Sequence, residues 1–495
     1  MSEPMSPGME HEPPVVAGDP RPPMGFALVA WAVIIIVALL IILLNIAGES
    51  TDGGKDIQAA ADHVTDRMEG RLLVGMNAVG WGGSATTGLQ KFEVGSPEHR
   101  FRGVVLAGEL EGADAARALL MRMEVQMSEA GYVPTSQQDR IFHDLSRIYD
   151  ASPVPGEVPG GLDAGEQETL IDSLGWFGEL ALHPAGSGES ELRRRMQNEA
   201  VVVLVALAVM GSAFMGGLVI GLILLILVIV LACSRRLYHG LGPSSNRDGL
   251  LAEAFAVWMV VFFLVQYGLH LLVELVPALS GNALLLAGIV QGSTVLIVFW
   301  PVLRGNTWAQ TRRAIGWTTG PEGSGSLWRE LGWGVCGYLM MLPLLAIGVL
   351  LVYLLMLVTA PDNPGTDFSP APMPSHPILL MVADGSIWAI VQVYFVAAIV
   401  APFLEETLFR GVLYRQLRTA TGGWRIGWSV VISILVVSLV FAAIHPQGLL
   451  GIPALAAIAV GLALMREWRG SLIAPMVMHG CSNGIVITLM VLAAR

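Results

Sequence analysis

Uncharged apolar runs constrain this chain more than anything else in it. About 20 such residues, wound as a helix, cross the hydrocarbon core of a bilayer. The first, residues 24–47 ("MGFALVAWAVIIIVALLIILLNIA"), carries no Asp, Glu, Lys or Arg. Further runs at 200–232, 250–277, 282–303, 331–359, 377–403, 426–444, 449–465 and 471–494 bring the expected total to nine spans. With 54% hydrophobic and 14% charged residues, a large soluble core is excluded. The expected fold class is all-α: a polytopic membrane bundle with a mainly helical, water-soluble insert between spans one and two.

A cleaved signal peptide is the rival reading of the first run. Its leader holds Arg21 as the only Lys or Arg, and the run exceeds the usual ~7–15 residues of a signal core, which favours an uncleaved anchor. Residues 1–23, rich in Pro, Met and Glu without periodicity, read as a disordered tail. Residues 48–198 form the soluble domain, with helical periodicity in "DAARALLMRMEVQMSEAGY" and "GEQETLIDSLGWFGELALH". Acidic residues outnumber Lys and Arg nearly two to one there, so the net charge of -12 belongs to that segment. An acidic exterior without a basic, aromatic-interleaved stripe excludes nucleic acid as a partner. His63, His99, His143 and His183 are scattered without metal-ligand spacing. Cys233, Cys336 and Cys481 lie in or beside apolar runs and offer neither a disulfide framework nor a CxxC pair.

Residues 200–232 are too long for one untilted span and too short for two, and are read as one long helix. Orientation follows from arginines retained on the cytoplasmic side. "SRRLYHG" (234–240), "RGNTWAQTRRAIGW" (304–317), "RGVLYRQLR" (410–418) and "REWRG" (466–470) then fall inside. The loop 360–377, lacking Lys and Arg, falls outside. The expected topology is a cytoplasmic N-terminus and an extracytoplasmic 48–198 domain in a multi-pass protein of a bacterial inner membrane. Arg193, Arg194 and Arg195 disagree, since they precede span two on the outer side. Residues 199–376 read as accessory spans, and 377–495 as a separate membrane domain that collects the ionisable groups.

Ionisable groups inside a membrane are functional candidates by default. In "APFLEETLFRGVLYRQ", Glu406 and Arg410 stand at the helical salt-bridge spacing, and Glu405 lies about 100° around the helix. An amphipathic helix end with a snorkelling Arg explains the stretch equally well. "FAAIHP" puts Phe441 and His445 on one helical face before Pro446, and a capping histidine is the alternative. "HGCSN" puts His479 and Asn483 four apart, where packing between helices is the alternative. Glu253, His270 and Glu274 read as structural, while Asp384, Gln392 and Tyr394 fit no chemical pattern. Taken together, a carboxylate and an imidazole can deprotonate a water, while a second His and an Asn donate to the oxyanion formed at a peptide carbonyl.

In that order, Glu405-Glu406-x-x-x-Arg410, Phe441-x-x-x-His445 and His479-x-x-x-Asn483 resemble the three-motif signature of the CPBP family, which includes CAAX prenyl endopeptidases and Abi proteins. "REWRGSLIAP" resembles the lead-in to the third motif in bacterial members. The resemblance covers roughly 380–492 and is silent on 48–198. It implies an intramembrane endopeptidase acting on a membrane-embedded or membrane-proximal peptide, with Glu405 and His445 activating water. His479 and Asn483 would form the oxyanion site, and Glu406, Arg410 and Phe441 would support them. Members are described as metalloproteases. A zinc site would take Glu405, His445 and His479, though no HExxH supports it. Two other classes stay open: a membrane scaffold or immunity factor using the cluster for packing, and a proton-coupled transporter, for which no inverted repeat is seen. The soluble domain is expected to bind another protein.

Overall fold

The computed structural model describes residues 24–49, 52–151, 157–184, 190–234, 236, 241, 249–320, 325–359, 367–368, 378–383 and 386–494. The expected tail at 1–23, most of "SRRLYHG" and Asp384 lie outside them. Among the described residues the structure is helical without strands, and nine helices are long and apolar enough to cross a membrane. They are span one Phe26–Gly48, two Glu191–Cys233, three Leu250–Leu275, four Ala278–Leu303, five Leu327–Thr359, six Ile387–Ala420, seven Ile426–Ala443, eight Gly448–Arg469 and nine Ile473–Leu492.

Span two is one unbroken helix of 43 residues, so it does not divide into two crossings. At 1.5 Å per residue it is about 64 Å long, twice the hydrocarbon thickness. Its first turns belong to the soluble domain, where Met196 and Ala200 are core residues. Farther along, Gly217 and Gly221 let it close on span five; a Cβ at Gly221 would stand 1.9 Å from the Leu339 carbonyl oxygen. The three discordant arginines lie in the first turns of span two. Arg193 is gripped by both Glu109 oxygens, at 2.6 and 3.0 Å, and donates to the His183 carbonyl at 2.6 Å. Arg194 and Arg195 pair with Glu191 and Glu199 on their own helix. Arg193 thus closes the soluble domain, while Arg194 and Arg195 stay exposed on the helix surface.

The soluble domain packs the helices Asp52–Ala78, Pro97–Leu110, Ala113–Ala130 and Ser136–Asp150 around Phe101, Leu106, Leu145 and Phe177. The second periodic stretch is not one helix: it breaks at Gly175 (φ 60°) into Ala164–Leu174 and Trp176–Leu182. Ala61 and Val64 of the first helix pack against Val393 of span six and Ile487 of span nine, seating the domain on the end of the bundle. Between spans five and six, Phe368 is a core residue of the soluble domain, beneath the Arg100 guanidinium, which also donates to the Asp367 carbonyl at 2.8 Å. Domain and loop therefore share one face of the bundle.

Span six departs from expectation. The stretch 377–403 is not one helix, because Ile378–Ala383 is separate. The span runs from Ile387 to Ala420, so Glu405, Glu406 and Arg410 lie within it and not at a helix end. Two π-type stretches, Val396–Val400 and Glu406–Leu413, interrupt its α-helical turns. Ala420 is 15 residues past Glu405, roughly 22 Å. Span seven, entering from that side, has 18 residues, or roughly 27 Å. Its end therefore meets Glu405 partway along span six, not at the far surface. Arg410 and Arg466, two arginines expected in cytoplasmic loops, are fully buried in the bundle.

Candidate active site

Two prolines shape the site. Pro402 has no N–H to give the preceding turn, and a buried carbonyl without a donor is costly. Asn483 of span nine supplies one, its Nδ2 donating to the Ala397 carbonyl at 2.8 Å. Gly480 lets span nine come that close, since a Cβ there would stand 2.7 Å from the Ala398 oxygen. Pro446 stops span seven at Ala443, so His445 sits just past the helix and not on it. Its amide turns to Ala442, and its Nδ1 donates instead to the Phe441 carbonyl.

The two adjacent glutamates have different surroundings. Glu406 and Arg410 are wholly buried and joined at 2.9 Å, and the same Glu406 oxygen accepts from His479 Nδ1 at 2.8 Å. Arg410 also donates to the Ala459 carbonyl at 3.3 Å and lies over the Phe441 ring, 4.5 Å from its centroid. Phe441 in turn packs tilted against His445 at 4.1 Å and meets Phe409 edge-on. Glu405 is 23% exposed, and its buried Oε2 has no hydrogen-bond partner. Facing that oxygen are His445 Nε2 at 3.7 Å and His479 Nε2 at 3.8 Å, both beyond direct hydrogen-bond reach.

The tautomers follow from these partners. A carbonyl and a carboxylate only accept, so both histidines, when neutral, carry the proton on Nδ1 and turn a bare Nε2 lone pair toward Glu405. A water in that space can donate to two of these three acceptors. They are also the donor types a zinc ion takes, with the Phe441 carbonyl and the Glu406 carboxylate behind the two imidazoles. Yet no group of three His, Cys, Asp or Glu among the described residues closes to metal-binding geometry. The fit is chemical and not geometric.

Glu405, His445 and His479 thus converge from spans six, seven and nine, with Glu406, Arg410 and Phe441 behind them. Asn483 lies one turn beyond His479, bonded to the π-type stretch. Of the remaining polar residues, Gln392 bonds the Leu285 amide and Gly281 carbonyl, and Tyr394 bonds Thr488 at 2.7 Å. Glu253 accepts from Trp300 and pairs with Arg304, while His270 and Glu274 pair at 3.3 Å on an exposed face. A second buried network is not visible in the sequence reading, which placed "REWRG" on the cytoplasmic side. Glu467 accepts from Tyr414 at 2.7 Å and Arg418 at 3.1 Å, and Arg469 pairs with Glu330 at 2.6 Å. Arg466 bonds the Ala314 and Arg410 carbonyls. The available signal was an acid between two arginines next to an apolar run. Pro402 was a second: a proline inside a span frees a carbonyl that a distant polar residue must meet.

Residues 386–485 match the family model described as type II CAAX prenyl endopeptidase Rce1-like. An uncharacterized 24.3 kDa protein of Escherichia coli is 31% identical over 110 residues, 22% of this chain and 48% of that protein. The membrane-embedded CAAX protease MroQ of Staphylococcus aureus is 34% identical over 93 residues, 19% of this chain and 37% of its own length. The chain thus spans at most about half of these curated relatives. No solved structure matches it.

Proposed function

Residues 386–485 are an Rce1-like domain of the CPBP family, and from that premise we propose that the protein is an intramembrane endopeptidase. One observation carries the reading: the unpartnered Glu405 oxygen faces two imidazole Nε2 atoms whose Nδ1 protons are already committed. A water held there gives a proton to Glu405 or His445 as its oxygen bonds the peptide carbonyl carbon. The C–N bond breaks when the amine takes that proton. His479, once protonated, and the second N–H of Asn483 are the oxyanion donors. Glu406 and Arg410 orient His479. No step is routed through a metal; were zinc bound, it would polarise the water, held by Glu405, His445 and His479.

The substrate class is an apolar, membrane-embedded or membrane-proximal peptide. The soluble domain is extracytoplasmic and engages another protein. The test is proteomics of membrane fractions from cells with the wild-type protein or Glu405→Gln. Uncut precursors accumulate with the variant; identical peptide profiles would end the reading. A second reading, a non-catalytic scaffold, draws on the fact that Asn483 and His479 Nδ1 already bond within the bundle. It requires Glu405→Ala and His445→Ala to unfold the protein, whereas the peptidase reading requires folded, inactive variants.

A further inference from the structure

Span one is more than an anchor. Between residues 26 and 48, Asn45 is its only Asn, Gln, Ser, Thr or charged residue. An amide in a membrane helix seeks a partner on another helix. Asn45 Nδ2 donates to the His445 carbonyl at 3.2 Å and the Ile444 carbonyl at 3.4 Å, some 400 residues away in the chain. Those carbonyls need a donor. Span seven has ended, Pro446 has no N–H, and Gly448 (φ 69°) swings the chain into span eight, so no backbone N–H among the described residues reaches them.

The helix that brings Asn45 is firmly packed: Ala30 and Ile34 belong to the same apolar core as Phe409 and Phe441. His445 is then held twice. Its ring is fixed through Nδ1 to Phe441, and its backbone through the carbonyl to Asn45. Together the two restraints place Nε2 opposite Glu405. We propose that Asn45 is a positioning residue for His445, so that span one, lying outside the family-matched segment, completes the active site. The catalytic consequence rests on the peptidase reading above; the geometric claim does not.

The test uses the full-length protein in phosphatidylcholine vesicles. Asn45→Leu keeps the size of the side chain and leaves the span wholly apolar, so insertion is retained. Diethyl pyrocarbonate modification of each histidine, read by mass spectrometry, should rise about fivefold at His445, the equivalent of one net hydrogen bond, and stay unchanged at His479. Asn45→Gln, which can reach the same carbonyls, should restore part of the protection. Leu43→Ala, at a lipid-facing position 63% exposed, should behave as wild type. With a quenched-fluorescent apolar peptide in the same vesicles, kcat should fall roughly 10–100-fold, as expected for a displaced catalytic group, with KM within about twofold. Unchanged His445 reactivity in folded Asn45→Leu overturns the proposal. Altered His445 reactivity in a protein that cleaves nothing supports the positioning role and counts against the peptidase reading.

Discussion

Glu405 and Glu406 are chemically identical neighbours, and the structure requires their glutamine variants to fail in opposite ways. Glu406 is wholly buried and accepts two charge-assisted bonds on one oxygen, from Arg410 and His479. Glu406→Gln leaves the buried Arg410 guanidinium beside a neutral amide, whose oxygen keeps the two bonds while the counter-charge is lost. Breaking a buried pair in this way costs about 3–5 kcal/mol. Glu405 has no hydrogen bond on its buried Oε2 to lose. Glu405→Gln costs no direct hydrogen bond through Oε2, so stability should stay within about 1 kcal/mol of wild type. Activity should fall at least ~10²–10⁴-fold, the usual contribution of a positioned base. Sodium dodecyl sulfate unfolding in mixed micelles reads the first quantity, and cleavage of a reporter peptide reads the second. The reasoning is refuted if the two variants destabilise equally, or if Glu405→Gln keeps activity within tenfold of wild type.

Three further outcomes follow from separate parts of the molecule. In the soluble domain, burial pushes the Asp62 carboxyl up to about 6. His99 is raised as well, since its bond to Asp66 and that residue's charge outweigh the lowering by burial. Both groups favour the protonated form in the fold, so the stability they confer is lost as pH rises through their folded pKa values. His183, lowered by burial, opposes this. Hydrogen exchange corrected for intrinsic rate should show Asp52–Ala78 and Pro97–Leu110 better protected at about pH 5.5 than at about 7.5, and no difference would refute the assignment. Gly221→Leu, driven into the Leu339 carbonyl, should separate spans two and five, a loss of about 1–3 kcal/mol or more visible as a lower thermal midpoint; Gly211→Leu, with open space around it, should not. Cleavage should persist after treatment with phenanthroline, and a loss restored by zinc would reassign Glu405, His445 and His479 as metal ligands.

Much of this architecture is written locally. Crossing a bilayer depends on length and apolarity alone, so all nine spans could be read from the sequence, most ends within a few residues, while span two starts 9 residues earlier and span six lies 10 and 17 residues later than read. The pairing of Glu406 with Arg410 is likewise local, a matter of helical spacing. Where a helix stops or loosens was less legible. The sequence suggested that Glu405 lay at a helix end and His445 on a helix; the reverse arrangement arises because span six continues through its π-type turns while Pro446 cuts span seven short.

What the sequence by itself determined is the inventory: nine apolar helices, an acidic helical domain, and a small set of ionisable groups that lipid would not tolerate without a purpose. Only the tertiary structure decided how those groups divide. Glu405 and Glu406 differ because spans seven and nine approach the same helix from different sides. His479 meets Glu406 with one nitrogen and Glu405 with the other, and Asn45 reaches a loop some 400 residues away. Hydrogen-bond partners are set by distance in space, and sequence periodicity reports only the neighbours within one helix.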